Sequence, residues 1–514
     1  MTSMRIWGSA RSRRIWMLCL VVLLAGALRL VNLGGNPNGF YHDEAVWGFD
    51  GYSIGQTGRD LYGVFMPVFG EVSEGGRWET QGLYLIALST KFFGLNEFAV
   101  RLPFALVGFF SVLILYFLVK KIFDWKVGLL AAFFLAISPW HIQFSRISFF
   151  HILTIFYFLL GLLFFISAIR HRPWHLYISG LMFLGGLWTY QSARVFIPLF
   201  LVGLVVIFWN ELRRIWPQAL GAGLLFSLSA LPLLLFWISP DGMGRASSQL
   251  HLDLFQNFSW YLSYFGPGFL FLKGDPNIRH HIVGGGQLYF FEAATLAGGI
   301  LWILRRFEKK EHRMLTVWLL LFPLPAAFTQ PGHALRSLMG APLFAILSAV
   351  GVFALISLVR SRAFEKAVKC LTAGVVLISF GVYVVNYFFQ YPRYSARSWE
   401  YGVREAITFT EEAGYDRVNI SDSYYAGLWL ILFYGRVDPL DCQRNARRWY
   451  AARSIGRYHL KALLNAESLR DGGIWMMNPL EVEILVKAGY PLRLLHVVTG
   501  PTGSPEVVLA ALGK

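Results

Sequence analysis

The pattern of apolar and polar positions is dominated by long apolar runs. After a cluster of Arg5, Arg11, Arg13 and Arg14, one run covers 15 to 33. Others follow at roughly 102 to 119, 127 to 143, 149 to 169, 174 to 190, 195 to 209, 215 to 238, 287 to 304, 314 to 328, 335 to 358 and 370 to 389. Each is near the length that a bilayer asks of a helix, so the pattern predicts an α-helical polytopic membrane protein with about eleven transmembrane helices. The first run alone, behind its arginines, would also fit a signal peptide; the many later runs favour an uncleaved helix. Three long intervals break the pattern: 34 to 101, 239 to 286, and 390 to the end. In the last, alternation at 417 to 420 and 492 to 498 suggests strands between helices. The expected division is a transmembrane domain over 1–389 and a small C-terminal α/β domain over 390–514.

Charge orients these segments. Every second connection is short and basic: Lys120, Lys121 and Lys126; Arg170 and Arg172; Arg213 and Arg214; Arg305, Arg306, Lys309, Lys310 and Arg313; Arg360, Arg362, Lys366 and Lys369. The positive-inside rule puts these and the N-terminus in the cytoplasm. The long intervals and the C-terminal domain then lie on the exoplasmic side. A composition of 56% hydrophobic, 17% aromatic and 15% charged residues fits a chain solvated mainly by lipid. The net charge of +16 sits largely in the short loops, which removes nucleic acid as a partner.

Cys19, Cys370 and Cys442 define neither a disulfide framework nor a metal cluster. Walker, nucleophile-elbow, zincin and dinucleotide motifs are absent, so cytosolic nucleotide chemistry is unsupported. Adjacent His280 and His281 lack the spacing of ordinary metal motifs; the sequence assigns no metal ligand, and a divalent metal cofactor stays open.

Charged residues in the expected exoplasmic positions carry the candidate chemistry. Tyr41-His42-Asp43-Glu44-Ala45-Val46-Trp47 puts two carboxylates close behind a membrane exit. A carboxylate there can deprotonate a hydroxyl; alternatively Asp43 caps a helix beginning near Glu44. Arg101, Arg146, Arg194 and Arg336 all fall at outer helix ends, against the positive-inside trend. Singly, each can snorkel or compensate a helix terminus. Together, arginine forks that cannot deprotonate would hold a phosphate at a membrane surface. The 239 to 286 interval adds Lys273-Gly274-Asp275 between aromatic stretches that could lie along the membrane as a lid.

These motifs resemble the lipid-phosphosugar-dependent glycosyltransferases of GT-C fold, especially protein O-mannosyltransferases and lipid A aminoarabinose transferases. The resemblance rests on Asp43-Glu44, Gly58-Arg-Asp-Leu-Tyr-Gly63 with Pro67, Arg101-Leu-Pro103, Ser138-Pro139 leading to Arg146, Lys273-Gly-Asp275 and His333-Ala-Leu-Arg336. It implies that Asp43 is the catalytic base, supported by Glu44. It also implies that Arg101, Arg146, Arg194, Lys273, His333 and Arg336 contact a polyprenyl-phosphate sugar. The partners implied are that donor, membrane lipids, and an acceptor protein, lipid or glycan. One attack by the acceptor hydroxyl would invert the anomeric centre. The loop after the seventh helix is too short for the extra domain of eukaryotic protein mannosyltransferases, which counts against a Ser/Thr protein acceptor. The tail is closer to bacterial members, which implies a prokaryotic plasma membrane. Trp399-Glu400-Tyr401-Gly402 resembles an oligosaccharyltransferase signature, but a second tryptophan and an Asp-x-Asp first loop are missing, so no role is assigned to it.

A transporter or flippase for a lipid-linked or small solute shares this helix count, although transporters place binding groups near the bilayer midplane and here helix centres are nearly free of charge. A scaffold with an outer binding domain is the third alternative.

Overall fold

The computed structural model describes residues 10–71, 77–424, 427–462 and 472–512; Arg5 lies outside them. Each predicted apolar run is centred on a helix or a helix pair. Fewer of them are long spans than the hydropathy pattern suggests. Among the described residues, Glu97–Ile122, His151–Arg170, Trp216–Trp237, Gly340–Ser357 and Arg362–Tyr394 are long and apolar enough to cross a membrane. His175–Leu187, Gln191–Ile207 and Glu292–Leu304 are apolar but shorter. The difference lies at helix ends. Lys310–Leu321 stops just before Pro323, and Ala10–Leu30 carries Arg11, Arg13, Arg14 and Arg29. An apolar run continues through such breaks although the helix does not.

The run at 127 to 143 becomes two helices, Trp125–Ile137 and Pro139–Ser145, bent by 60°. Pro139 has no N–H to continue the hydrogen-bond ladder, and the Ser138 hydroxyl accepts from His141 N at 3.3 Å to start the second helix. The break leaves carbonyls without helical partners. The buried Arg29 guanidinium takes two of them, donating to Ala136 O at 3.1 Å and Leu135 O at 3.2 Å.

The chain divides into two compact units, and neither is continuous in sequence. One comprises Met1–Val31, Gly75–Glu79 and Phe104–Val385 and holds most of the apolar helices. The other joins Asn32–Glu74 and Thr80–Pro103 to Asn386–Lys514. The 34 to 101 interval thus packs with the C-terminal segment, for reasons visible in its contacts. Asn36 donates to Tyr387 O at 3.0 Å, and the Phe40 and Phe433 rings lie 4.7 Å apart. Gly48 lets the His42–Thr57 helix come close, since a Cβ there would meet Val100 and Phe433 at 2.8 Å.

Besides the short strands β1 (Phe69–Glu71) and β2 (Arg77–Glu79), the strands form one mixed sheet within the second unit. They are β3 (Val418–Ser421), β4 (Ser454–Ile455), β5 (Tyr458–Lys461), β6 (Ile474–Met477), β7 (Leu492–Thr499) and β8 (Pro505–Leu512), in the order β4-β5-β3-β6-β8-β7. Central β3 runs parallel to β5 and β6, and both β3 and β6 are buried along their length, as strands covered on two faces should be. Trp475, Met477, Leu485, Val508 and Ala510 form the core between sheet and the Pro479–Lys487 helix. The α/β domain expected at the C-terminus is therefore present, with the strands anticipated at 417 to 420 and 492 to 498 becoming β3 and β7.

Candidate active site

In the second unit, the helix carrying the two carboxylates begins two residues before the predicted start. It spans His42–Thr57 with Tyr41 as N-cap and no side-chain cap, so Asp43 is not the capping residue. Asp43 and Glu44 both occupy the first turn, where exposed N–H groups favour negative charge. Their fates then diverge. Asp43 has 40% of its side chain exposed, with Oδ1 3.8 Å from His42 Nε2. Glu44 is fully buried and bridges Arg101 by a fork, at 3.0 Å to Nε and 2.8 Å to Nη2. Arg101 also donates to Pro37 O at 3.0 Å and Gly39 O at 2.9 Å. Its guanidinium therefore clamps the turn that leads into the His42–Thr57 helix and presents no open face to a phosphate.

Further along the same helix, Asp50 is buried and accepts from Leu61 N at 2.8 Å. Burial, with the charge of Asp60 adding to it, pushes its carboxyl up to about 8. Between the ordinary carboxylate range and about 8, the folded chain holds a proton that the unfolded chain has lost, so this group lowers stability as pH rises. Asp50→Asn keeps an acceptor for Leu61 N and removes the titration. Thermal unfolding should find the variant more stable than the parent, with a gap widening by about 1.4 kcal/mol per pH unit over this window. A gap independent of pH would refute this account of Asp50.

The first unit holds the other candidates. Arg146 is buried and donates to Leu28 O at 3.0 Å, in the last turn of the first helix, and to Val31 O at 2.9 Å, just past its end. This is the helix-terminus role weighed against phosphate binding. Arg194 pairs with Glu79, at 2.5 Å from Nη2, and its guanidinium lies 5.0 Å over the Trp237 ring. Lys273 is exposed, and Arg336 is half-buried.

Beside them lies a cluster whose members are far apart in sequence. Asp275 Oδ2 accepts from His280 Nδ1 at 2.7 Å and from Ala334 N at 2.7 Å, and lies 4.0 Å from His333 Nδ1. All three side chains are buried. Gln143 donates to Arg279 O at 2.6 Å and Trp140 to Ala334 O at 3.0 Å, so the 239–286 segment, the 329–336 turn and the bent helix pair form one knot. Burial opposes charge on Asp275, but the His280 hydrogen bond, the histidine charges and the Asn277 N–H outweigh it and hold the carboxyl below its usual range. Burial, helped by His280 and Arg336, pushes His333 down to about 3, leaving a neutral imidazole at neutral pH.

Ligand atoms of Asp275, His280 and His333 lie within 4.8 Å of one another and could hold a divalent cation in place of the proton shared by Asp275 and His280. The adjacent His280 and His281, to which the sequence assigns no metal role, have different surroundings. His280 joins Asp275 and His333, while the ring of His281 packs against Gly274, where a Cβ would meet it at 2.6 Å.

Sequence reasoning missed Arg29, Glu79, His42 and Glu400. Arg29, inside an apolar run, donates to His141 Nδ1 at 2.7 Å as well as to the broken helix. His42 Nδ1 lies 2.6 Å from Glu400 Oε1. An arginine in a hydrophobic run was the signal available for the first; His42 and Glu400 stood in motifs that the sequence flags without giving either a role.

The apolar helices and the mixed C-terminal sheet describe a multi-pass membrane protein of GT-C fold. Residues 81–237 match the family described as dolichyl-phosphate-mannose-protein mannosyltransferase. The whole chain is similar in fold to ArnT from Cupriavidus metallidurans in the apo state, with a TM-score of 0.60 at 11% identity over 98% of both chains. The same protein bound to undecaprenyl phosphate gives 0.58 at 12% identity, again over 98% of both. The archaeal oligosaccharyltransferase AglB from Archaeoglobus fulgidus, in complex with an inhibitory peptide and a dolichol-phosphate, gives 0.53 at 13% identity over 97% of this chain and 74% of that one. No curated protein matches the sequence.

Proposed function

We propose that this protein is a membrane glycosyltransferase that moves a sugar from a polyprenyl-phosphate donor to an acceptor hydroxyl on the exoplasmic face. The observation that carries this reading is the division of labour between Asp43 and Glu44. One carboxylate is neutralised inside the protein by Arg101, and its neighbour remains accessible at a fixed helix N-terminus. Such a carboxylate suits general-base removal of a hydroxyl proton, an effect worth about 10² to 10⁴ in rate. Similarity to structures that contain undecaprenyl phosphate and dolichol-phosphate supports the donor class.

In this reading Lys273 and Arg336, beside the Asp275–His280–His333 knot, receive the departing lipid phosphate, with Arg194 shared between Glu79 and the donor. Arg101 and Arg146 each hold backbone carbonyls within their own unit. A single displacement by the acceptor oxygen gives inversion.

Purified protein in nanodiscs, supplied with a panel of polyprenyl-phosphate sugars and envelope extract, should consume one donor and release polyprenyl phosphate in step with sugar transfer, read by mass spectrometry. Translocation of intact substrate with no donor consumed would favour the transporter instead.

A further inference from the structure

Trp399-Glu400-Tyr401-Gly402 has no role in the reaction outlined above, yet the second unit holds it in an expensive conformation. Glu400 adopts φ 55° and ψ 38°, left-handed backbone that a side chain with a Cβ rarely takes. Such a residue is strained and persists only where its surroundings over-determine it. Here they do. Glu400 N closes the preceding turn onto Arg397 O at 3.2 Å. The indole of buried Trp399 donates to Tyr391 OH at 2.9 Å, and Tyr391 stacks on Tyr387 at 5.5 Å.

The strained residue is aimed at the catalytic helix. Glu400 Oε1 lies 2.6 Å from His42 Nδ1, while Oε2 is buried with no hydrogen-bond partner among the described residues. A carboxylate only accepts, so Nδ1 of His42 carries the proton. In the neutral imidazole that leaves a lone pair on Nε2, the atom 3.8 Å from Asp43 Oδ1. Tyr41 packs against the imidazole with ring centres 3.8 Å apart, which limits its rotation.

We propose that Glu400 is a positioning residue for the reaction, acting through His42 to clear the proton from Asp43 after each transfer. The inference rests on Asp43 being the base. In the transfer, the acceptor O–H bond breaks and its proton goes to Asp43; the new bond forms between the acceptor oxygen and the anomeric carbon. The bond from that carbon to the phosphate oxygen breaks, and its electron pair leaves with the phosphate. The proton on Asp43 then passes to His42 Nε2, the imidazolium is stabilised by Glu400, and water finally takes the proton. The 3.8 Å separation exceeds a hydrogen bond and is closed by rotation of the partly exposed Asp43 side chain or by one bridging water. Glu400 fixes the tautomer and orientation of His42, as a carboxylate behind a catalytic imidazole does in general.

Two measurements test this. The first does not depend on turnover: nitrogen NMR of histidine-labelled protein, with the His42 signal assigned by difference against His42→Gln. The Nδ1–H tautomer should dominate in the parent and lose its bias in Glu400→Gln; an Nε2–H tautomer in the parent would overturn the proposal. The second is kinetic. With a donor that turns over, Glu400→Gln and His42→Gln should each lower kcat about tenfold or more with KM little changed. The double variant should be no worse than His42→Gln alone, because the two residues act as one unit. His42→Ala should regain activity with added imidazole, which a purely structural role would not allow. Retained kcat in both single variants, while Asp43→Asn is inactive, would sink the relay and leave the glycosyltransferase reading intact. The expected tautomer with no donor consumed would instead count against that reading.

Discussion

Asp43→Asn is expected to reduce sugar transfer by about 10² to 10⁴, down to background, while thermal stability and membrane insertion stay as in the parent. The amide is isosteric with the carboxylate but cannot accept a proton from a hydroxyl at the moment of attack. Because 40% of this side chain is exposed and Tyr41, rather than Asp43, occupies the N-cap, little of the fold depends on its charge. Donor binding should survive, so the loss should fall on kcat rather than KM. Transfer at the parent rate by a well-folded Asp43→Asn protein would remove Asp43 from the chemistry.

The adjacent carboxylate should behave in the opposite way. Glu44→Gln leaves the Arg101 guanidinium fully buried beside a neutral amide, with one side-chain oxygen and the backbone carbonyls as acceptors and the Glu44 charge gone. Breaking a buried pair from one side costs about 3 to 5 kcal/mol, because the other charge stays desolvated. The variant should melt well below the parent and show faster proteolysis in the 32–41 segment. Arg101→Met should cost a comparable amount, since it strands the Glu44 carboxylate and the Pro37 and Gly39 carbonyls together. Combining the two should cost much less than the sum of the single effects, a coupling that a double-mutant cycle measures directly. Additive losses would mean that the pair is not the unit described here. Neighbouring residues in one helical turn would then be separated experimentally, one acting in turnover and the other in stability.

The same contrast runs through the arginines. Arg101, Arg146 and Arg194 attract attention in the sequence for one reason: a charge at an expected outer helix end. The signal is genuine, but it carries no information about the partner. Arg146 meets the carbonyls of Leu28 and Val31, over a hundred positions away in sequence, and Arg194 meets Glu79. Asp275, His280 and His333 come together because the knot folds the 329–336 turn onto the 239–286 segment. Their spacing in sequence matches no local metal motif, because the ligands arrive from two separate connections.

The sequence by itself determined the membrane character, the helix centres and the small α/β domain, and it singled out Asp43-Glu44 for the proposed base. Each of these is written in short-range pattern: apolar runs of bilayer length, basic loops in alternation, strand-period alternation, and two adjacent carboxylates. Tertiary structure alone decided where those helices break, that the 34 to 101 interval packs with the C-terminal segment, and which charges face each other. The physical reason is that a buried charge must find its counter-charge or carbonyls wherever the folded chain supplies them. Those partners, Glu44 for Arg101 and Glu400 for His42, come from elements that only the fold makes neighbours.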